Sequence, residues 1–278
     1  MGNELKLDDQ PFQHYTARHR VEAWISQSLF DRFVYTVRRG LLKGMKRRGG
    51  LAWIPEFFTN ETPEIRFWRT LNFAGLVVYD VGAFHGLLSL YFAKTAKHVV
   101  CFEPSSRNRQ RLEENLRLNR LTNVSAYPFG LGAESARCEL VASVLMPGGG
   151  SLEPKIARRT RHGTAPTRVE TIDVRPFDEI VRELDLPTPD FIKIDVEGFE
   201  AEVLRGGREL LKAGRPRLFL EMHGETMNEK RQKVAEIVQL LVELGYESIQ
   251  HVETGTSIHV DNSDLAARGH LYAFAREV

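Results

Sequence analysis

The sequence predicts an α/β protein organised on a doubly wound, mostly parallel sheet. Three observations carry that expectation. From Leu76 onward, short apolar runs alternate with stretches of helical spacing. The first two of those runs end in an acidic residue where the chain turns, at Asp80 and Glu103. The last two runs are joined by a loop too short for a crossover helix, so they are expected to form an antiparallel pair at one edge.

Taken in order, Leu76–Asp80 is a strand, Leu87–Lys94 a helix and His98–Glu103 a second strand. Pro104 and Ser105 open a long polar helix that runs to about Arg120 and stops at the turn-prone Thr122–Asn123. Asn123–Phe129 reads as a third strand and Asp190–Asp195 as a fourth. Glu200–Leu211 reads as one helix, with Gly214 and Pro216 as stop signals. Arg217–His223 is a fifth strand, Lys230–Leu244 a helix, and Tyr246–His251 and Leu271–Ala275 the last two strands. The sum is a Rossmann-like sheet of seven strands with an antiparallel C-terminal strand, assigned to residues 71–278.

Two segments fall outside that rhythm. Val21–Leu42 carries apolar residues at roughly helical spacing, which predicts an N-terminal helical extension over residues 1–70, a substrate lid or interaction segment. Arg38, Arg39, Lys43, Lys46, Arg47 and Arg48 cluster at its end. A basic amphipathic segment can rest on an anionic membrane surface, although such a run is more often a solvated helix face. Between Val144 and Thr167 lies a loop with several Gly, Pro and Arg residues. A long loop inside a compact domain either closes over a site or is a solvated excursion.

Composition narrows the classes. The 278 residues carry 38 basic and 37 acidic side chains, formally +1, so no global field points to nucleic acid. Cys101 and Cys138 are too few for a disulfide framework, and Cys101 sits in an apolar run as a small hydrophobe. No stretch approaches the roughly 18 apolar residues of a spanning helix, and the polar N-terminus lacks a signal-peptide core. A soluble, cytoplasmic protein is expected.

The sharpest local feature is Asp80-Val-Gly-Ala-Phe-His-Gly86, between a strand and a helix. Gly82 permits a tight turn and close approach to a ligand, and Gly86 begins a helix whose free N–H groups form a partly positive end. In open parallel sheets, ligands bind at the carboxyl ends of the strands. Glu103 ends the next strand, 23 residues after Asp80, where a carboxylate can accept both hydroxyl hydrogens of a ribose. A nucleoside cofactor follows. The dinucleotide pattern lacks its second glycine, because Phe84 stands there, and Asp80 would repel a pyrophosphate. S-adenosylmethionine carries no phosphate, and its methionine ammonium would be drawn to Asp80.

Phe191-Ile-Lys-Ile-Asp-Val-Glu197 places Lys193, Asp195 and Glu197 on one side of a central strand, where buried charges need partners or a function. Asp195 would serve as proton acceptor, metal ligand or orienter of the methionine amine. The plainer alternative is an ion pair of Lys193 with Asp195 or Glu197. Glu221 and His223 follow at the same rim with period-2 spacing, fit to deprotonate a hydroxyl. With Asp195 they would also make an oxygen/nitrogen cation site, although a divalent cation is not expected. A lone histidine at a strand end is more often a hydrogen-bonded rim residue.

These residues together resemble the FkbM-type methyltransferases, a branch of the class I S-adenosylmethionine-dependent enzymes. The matching pieces are Asp80-Val-Gly-Ala and Gly86, Cys101-Phe-Glu-Pro-Ser105 with Asn108, Ile192-Lys-Ile-Asp-Val-Glu-Gly198 with Glu200 and Gly206, and Phe219-Leu-Glu221. They extend over about Leu76–Glu221, and the departure from the family is Phe84-His85 in the first loop. The resemblance implies methyl transfer, mostly to hydroxyl oxygens of sugars or secondary metabolites. It implies that Asp80, Gly82, Ala83 and Gly86 line the cofactor and that Glu103 holds its ribose. Phe129 and Gly130 would border the adenine, and Asp195 the sulfonium. His223, Asp195 and Glu221 are the candidate catalytic residues. The rival readings are an NAD(P)-dependent oxidoreductase on the same sheet and a non-catalytic cofactor-binding module.

Overall fold

The computed structural model describes residues 33–48, 61–143, 167–224 and 226–275. Its chain order begins with β1 (Val34–Thr36), β2 (Lys46–Arg48), α1 (Pro63–Thr70), β3 (Val77–Val81), α2 (Leu87–Phe92), β4 (His98–Phe102), α3 (Ser106–Leu118) and β5 (Val124–Tyr127). Next come β6 (Phe129–Gly132), β7 (Ala136–Ser143), β8 (Thr167–Pro176), α4 (Phe177–Glu183), β9 (Phe191–Ile194), α5 (Glu200–Gly206) and α6 (Arg208–Gly214). The chain ends with β10 (Arg217–Glu221), α7 (Met227–Glu243), β11 (Ser248–His251), a 3₁₀ turn over Val260–Ala266 and β12 (His270–Phe274).

Seven strands form the main sheet in the order β11-β12-β10-β9-β3-β4-β5. β12 lies antiparallel between β10 and β11, and the inner pairs are parallel. The sheet separates two cores, because successive strand side chains point to opposite faces. Tyr79, Val81, Val100, Phe102, Ile192, Ile194, Leu218 and Leu220 face the side covered by α7. Val78, Val99, Cys101, Phe191 and Phe219 face the other side. The order reverses between β3 and β9, so the crevice at their carboxyl ends is the switch point where such sheets bind ligands.

Four expectations change. The helical spacing of Val21–Leu42 does not yield a helix over residues 33–42: Val34–Thr36 pairs antiparallel with Lys46–Arg48, and residues 21–32 lie outside the described residues. The hairpin is held at the end of α3, where Oδ1 of the C-capping Asn119 and Oδ1 of Asn115 accept from Lys46 N at 2.8 Å and Arg48 N at 2.9 Å. Part of the basic cluster is therefore a docked strand, and Arg47 is buried. Trp68, assigned by sequence to the extension, belongs to the second core, its ring 4.1 Å from that of Phe219. The third strand ends at Tyr127. Pro128 has no N–H for the ladder, and the chain passes into a separate sheet of order β6-β8-β7, whose long β7–β8 pairing the sequence reading missed. The single helix read over Glu200–Leu211 is broken at Gly207, and the Asp178 carboxylate of α4 accepts from Glu209 N and Leu210 N to cap the second piece. The 144–167 loop lies outside the described residues except for Thr167, the first residue of β8.

Gly86 shows how the cofactor loop is built. It caps α2 in the left-handed region at φ 80°, and a Cβ there would meet Leu112 Cδ1 of α3 at 2.3 Å. Gly86→Ala combines backbone strain with overpacking and is expected to destabilise the fold by about 1–3 kcal/mol, read from urea denaturation. An unshifted midpoint would contradict this packing.

Candidate active site

The loop after β3 turns back under β4. Gly82 N and Ala83 N donate to Phe102 O at 2.9 and 3.1 Å. Gly82 has φ 77°, and a Cβ there would fall 1.8 Å from Asp195 O, so only glycine lets the first loop meet the end of β9. Phe84 also takes a positive φ, 50°, and its ring stacks on His85 with centroids 3.7 Å apart. Burial and the neighbouring Arg111, Arg47 and Arg107 push the His85 imidazole down to about 3, so it stays neutral.

A cleft of about 280 Å³ opens at the switch point. Val81, Gly82, Phe84, Phe102, Phe129, Gly130, Leu131 and Phe199 contribute to its walls, with Leu140, Ala142 and Arg168 added by the second sheet. Glu103, Asp195 and Glu197 also line it. Of the anticipated cofactor residues, Gly82, Glu103, Phe129, Gly130 and Asp195 line this cleft. Asp80, Ala83 and Gly86 are not on its surface: Asp80 and Ala83 are buried beside it, and Gly86 packs on α3.

Glu103 is held rigidly. Its Oε2 accepts from Phe84 N at 2.8 Å, and its Oε1 from Ser105 N at 3.0 Å and Asn108 Nδ2 at 3.3 Å. Burial pushes its carboxyl up to about 7, against those donors. A carboxylate offers about four lone-pair positions, so acceptor capacity remains on the cleft side. Apolar walls with the carboxylates of Glu103, Asp195 and Glu197 fit an adenosine group with a cationic tail better than a pyrophosphate.

Beneath the cleft lies a buried ion group. Register places Asp80 directly beside Lys193 on β9. Lys193 Nζ stands 3.3 Å from Asp80 Oδ1 and 3.2 Å from Asp195 Oδ2, and it donates to Gly82 O at 2.8 Å. Burial disfavours the ammonium, but Asp195 and Asp80 outweigh it and hold its pKa above the ordinary lysine value. Ser89 Oγ donates to Asp80 Oδ2 at 2.5 Å, and Asp80 Oδ1 is buried without a hydrogen bond. The ion pair weighed as the plainer alternative is therefore present, and its aspartate also reaches the cleft. The strand ends at Ile194, so Glu197 sits in a turn at φ 52° and not in line with Lys193.

His223 lies two residues beyond the end of β10. Its Nδ1 is 2.8 Å from Oε1 of Glu200, a fully buried carboxylate at the start of α5. Its Nε2 lies 3.6 Å from oxygens of Asp195, Glu197 and Glu221. Burial opposes the imidazolium, yet Glu200, Glu197 and Asp195 raise it to about 9. Burial also pushes Glu197 up to about 7. Asp195, Glu197 and His223 bring ligand atoms within 4.8 Å of one another, so Glu197 stands in this group where Glu221 was anticipated, and Glu221 is not part of it. Behind Glu221, His270 Nε2 is 3.7 Å from Oε2, and His270 Nδ1 is 2.6 Å from Glu253 Oε1. The sequence reading gave no site role to Glu200, Asn108 or the His270–Glu253 pair. Two of these, Glu200 and Asn108, stood inside the quoted motifs without a contact to explain them.

The cleft at the switch point lies where doubly wound sheets bind a small ligand. Residues 80–248, more than half of the chain, match the model of the methyltransferase FkbM domain, and the chain belongs to that family. It is 30% identical over 142 residues to Methyltransferase 1 of Beauveria bassiana, covering 46% of this chain and 57% of that protein. It is 32% identical over 138 residues to the hexuronic acid methyltransferase AglP of Haloferax volcanii, covering 49% and 52%. A third relative, the antimetabolite synthetase AmbE of Pseudomonas aeruginosa, is 30% identical over 204 residues, or 62% of this chain and 9% of that one. The chain thus spans about half the length of the first two. None of the described helices is long and apolar enough to cross a membrane.

Proposed function

We propose that this chain transfers a methyl group from S-adenosylmethionine to a hydroxyl oxygen of a sugar, glycan or secondary metabolite. The observation that carries the reading is the group beside the cleft, where His223 Nε2 stands 3.6 Å from oxygens of Asp195 and Glu197, which line it, and of Glu221. When bound, the cofactor supplies an electrophilic methyl group on a cationic sulfur. Glu103 would hold the ribose and Phe129 and Gly130 the adenine edge. Asp195 and Glu197 would place negative charge at the cationic end. His223 Nε2 would take the proton of the acceptor hydroxyl, with Asp195 and Glu221 beside it, and alignment of the two reactants supplies much of the rate. A hexuronic acid methyltransferase among the relatives supports the sugar class.

The test is single-turnover methyl transfer to hexopyranosides, hexuronates and phenolic alcohols, with the product bond located by NMR. An O-methyl product supports the reading. Tight cofactor binding with no transfer to any member would leave a binding module, and stabilisation by NAD(P) in place of S-adenosylmethionine would leave an oxidoreductase.

Glu103→Ala is expected to weaken S-adenosylmethionine binding by about 1–3 kcal/mol, because charge-assisted bonds are lost. In the wild type, affinity should fall as pH drops through about 7, where the raised Glu103 carboxyl gains its proton. Calorimetry showing equal affinity in the variant and no pH dependence would remove the ribose assignment.

A further inference from the structure

We infer that Glu200 is a positioning residue for the reaction: by accepting from Nδ1 it fixes the tautomer and ring plane of His223, so that Nε2 is the atom turned toward the acceptor hydroxyl. The inference rests on the reading above, in which His223 takes the acceptor proton.

A carboxylate as buried as Glu200 is costly unless it is fully partnered. Its Oε1 gathers three partners: His223 Nδ1 at 2.8 Å, Gly198 N at 3.0 Å and Val196 N at 3.4 Å. One oxygen therefore ties the turn that carries Asp195 and Glu197 to the histidine at the end of β10. A carboxylate can only accept, so the shared proton resides on Nδ1 and the lone pair of the neutral ring resides on Nε2. The carboxylate oxygens around Nε2 stand at 3.6 Å, beyond hydrogen-bonding distance, so none of them engages Nε2 in a hydrogen bond. With Nδ1 free, the ring could rotate and turn Nδ1 toward the same carboxylates.

The proton accounting is closed. As the acceptor oxygen forms its bond to the methyl carbon, its O–H bond breaks and the proton moves to Nε2. The ring then carries protons on both nitrogens, and Glu200 faces the resulting cation at 2.8 Å. Release of that proton to water restores the starting ring.

Glu200 also holds the 196–198 turn, so a structural role has to be separated from a positioning one. Glu200→Gln retains the size of the side chain while offering a donor amide to Nδ1. In the full chain, with the best acceptor from the panel above, kcat is expected to fall by roughly 10²-fold with the cofactor dissociation constant unchanged. Combined with His223→Ala, it should add no further loss, because Glu200 acts only through the ring. Additive losses, or a raised cofactor dissociation constant, overturn the inference.

A second readout needs neither acceptor nor cofactor. Imidazole nitrogen NMR above pH of about 9, where His223 is neutral, should show Nδ1 protonated in the wild type and a mixed tautomer in Glu200→Gln. The signal is assigned by its loss in His223→Ala. An Nε2-protonated wild type, or the same tautomer in both proteins, overturns the inference, and the wild-type spectrum decides alone if the variant does not fold. Full turnover by His223→Ala would remove the base reading. A slow His223→Ala beside an unaffected Glu200→Gln would remove the positioning role alone.

Discussion

His223→Ala is expected to lower kcat by roughly 10²- to 10⁴-fold, the usual contribution of a positioned base, while the affinity for S-adenosylmethionine holds. The expectation follows from where the ring sits: 3.6 Å from Asp195, which lines the cofactor cleft, yet bonded at Nδ1 to a residue behind it. Full activity in the variant would end the assignment. The pH profile supplies an independent check. A base works only when unprotonated, and His223 is raised from the ordinary 6.5 to about 9. kcat/KM should therefore climb with pH until about 9, with roughly one molecule in a hundred competent at neutrality. The charges that set this value come from more than one element: Glu200 on α5 and Asp195 and Glu197 in the preceding turn, while Glu221 on β10 is itself lowered by the same ring. Stability carries the opposite sign. A histidine with a raised folded-state pKa stabilises the fold fully below its unfolded value of about 6.5 and loses that contribution as pH rises through about 9. The melting temperature should fall over the interval in which the rate rises.

What could be read from the sequence depended on whether a residue's partner lay nearby along the chain or on another element. The sheet was legible because period-2 apolar runs and glycine turns are local signals, and Gly82 and Glu103 were legible because their places at strand ends follow from them. Asp195 and His223 were legible as charges on apolar strands that needed an explanation. Their explanations were not legible. Lys193 pairs with Asp80 across 113 positions of chain, and Glu200 reaches His223 across 23, and no spacing rule connects either pair. The β1–β2 hairpin was hidden for a related reason. Val34–Thr36 is held by pairing with Lys46–Arg48 and by Asn115 and Asn119, so tertiary contacts overrode a helical spacing that had no competitor in the local sequence. The second sheet was missed because β6 continues directly from β5, and only Pro128 marks the break.

Lys193→Met should be the most destabilising of these substitutions, at about 3–5 kcal/mol, because it removes the cation from a buried group and leaves its carboxylates uncompensated. Methionine fills the volume, so the loss reads out charge and not a cavity. Asp80 would retain the Ser89 hydroxyl but face burial with a full negative charge, and Asp195 would lose its 3.2 Å partner. Gly82 O would also lose its 2.8 Å donor, which frees the turn that forms the floor of the cleft. Cofactor affinity should therefore fall together with stability, although Lys193 itself is not on the cleft surface. A second change discriminates the cause. Asp80→Asn in the Lys193→Met background removes one of the stranded charges and should recover part of the lost stability, a coupling visible only in the double variant. Chemical denaturation measures all three proteins. If Lys193→Met lost less than about 1 kcal/mol, the value of an exposed pair, the three charges would not form the buried unit described here. If it lost the full amount and Asp80→Asn recovered none, the destabilisation would arise from the freed Gly82 carbonyl and not from the carboxylates.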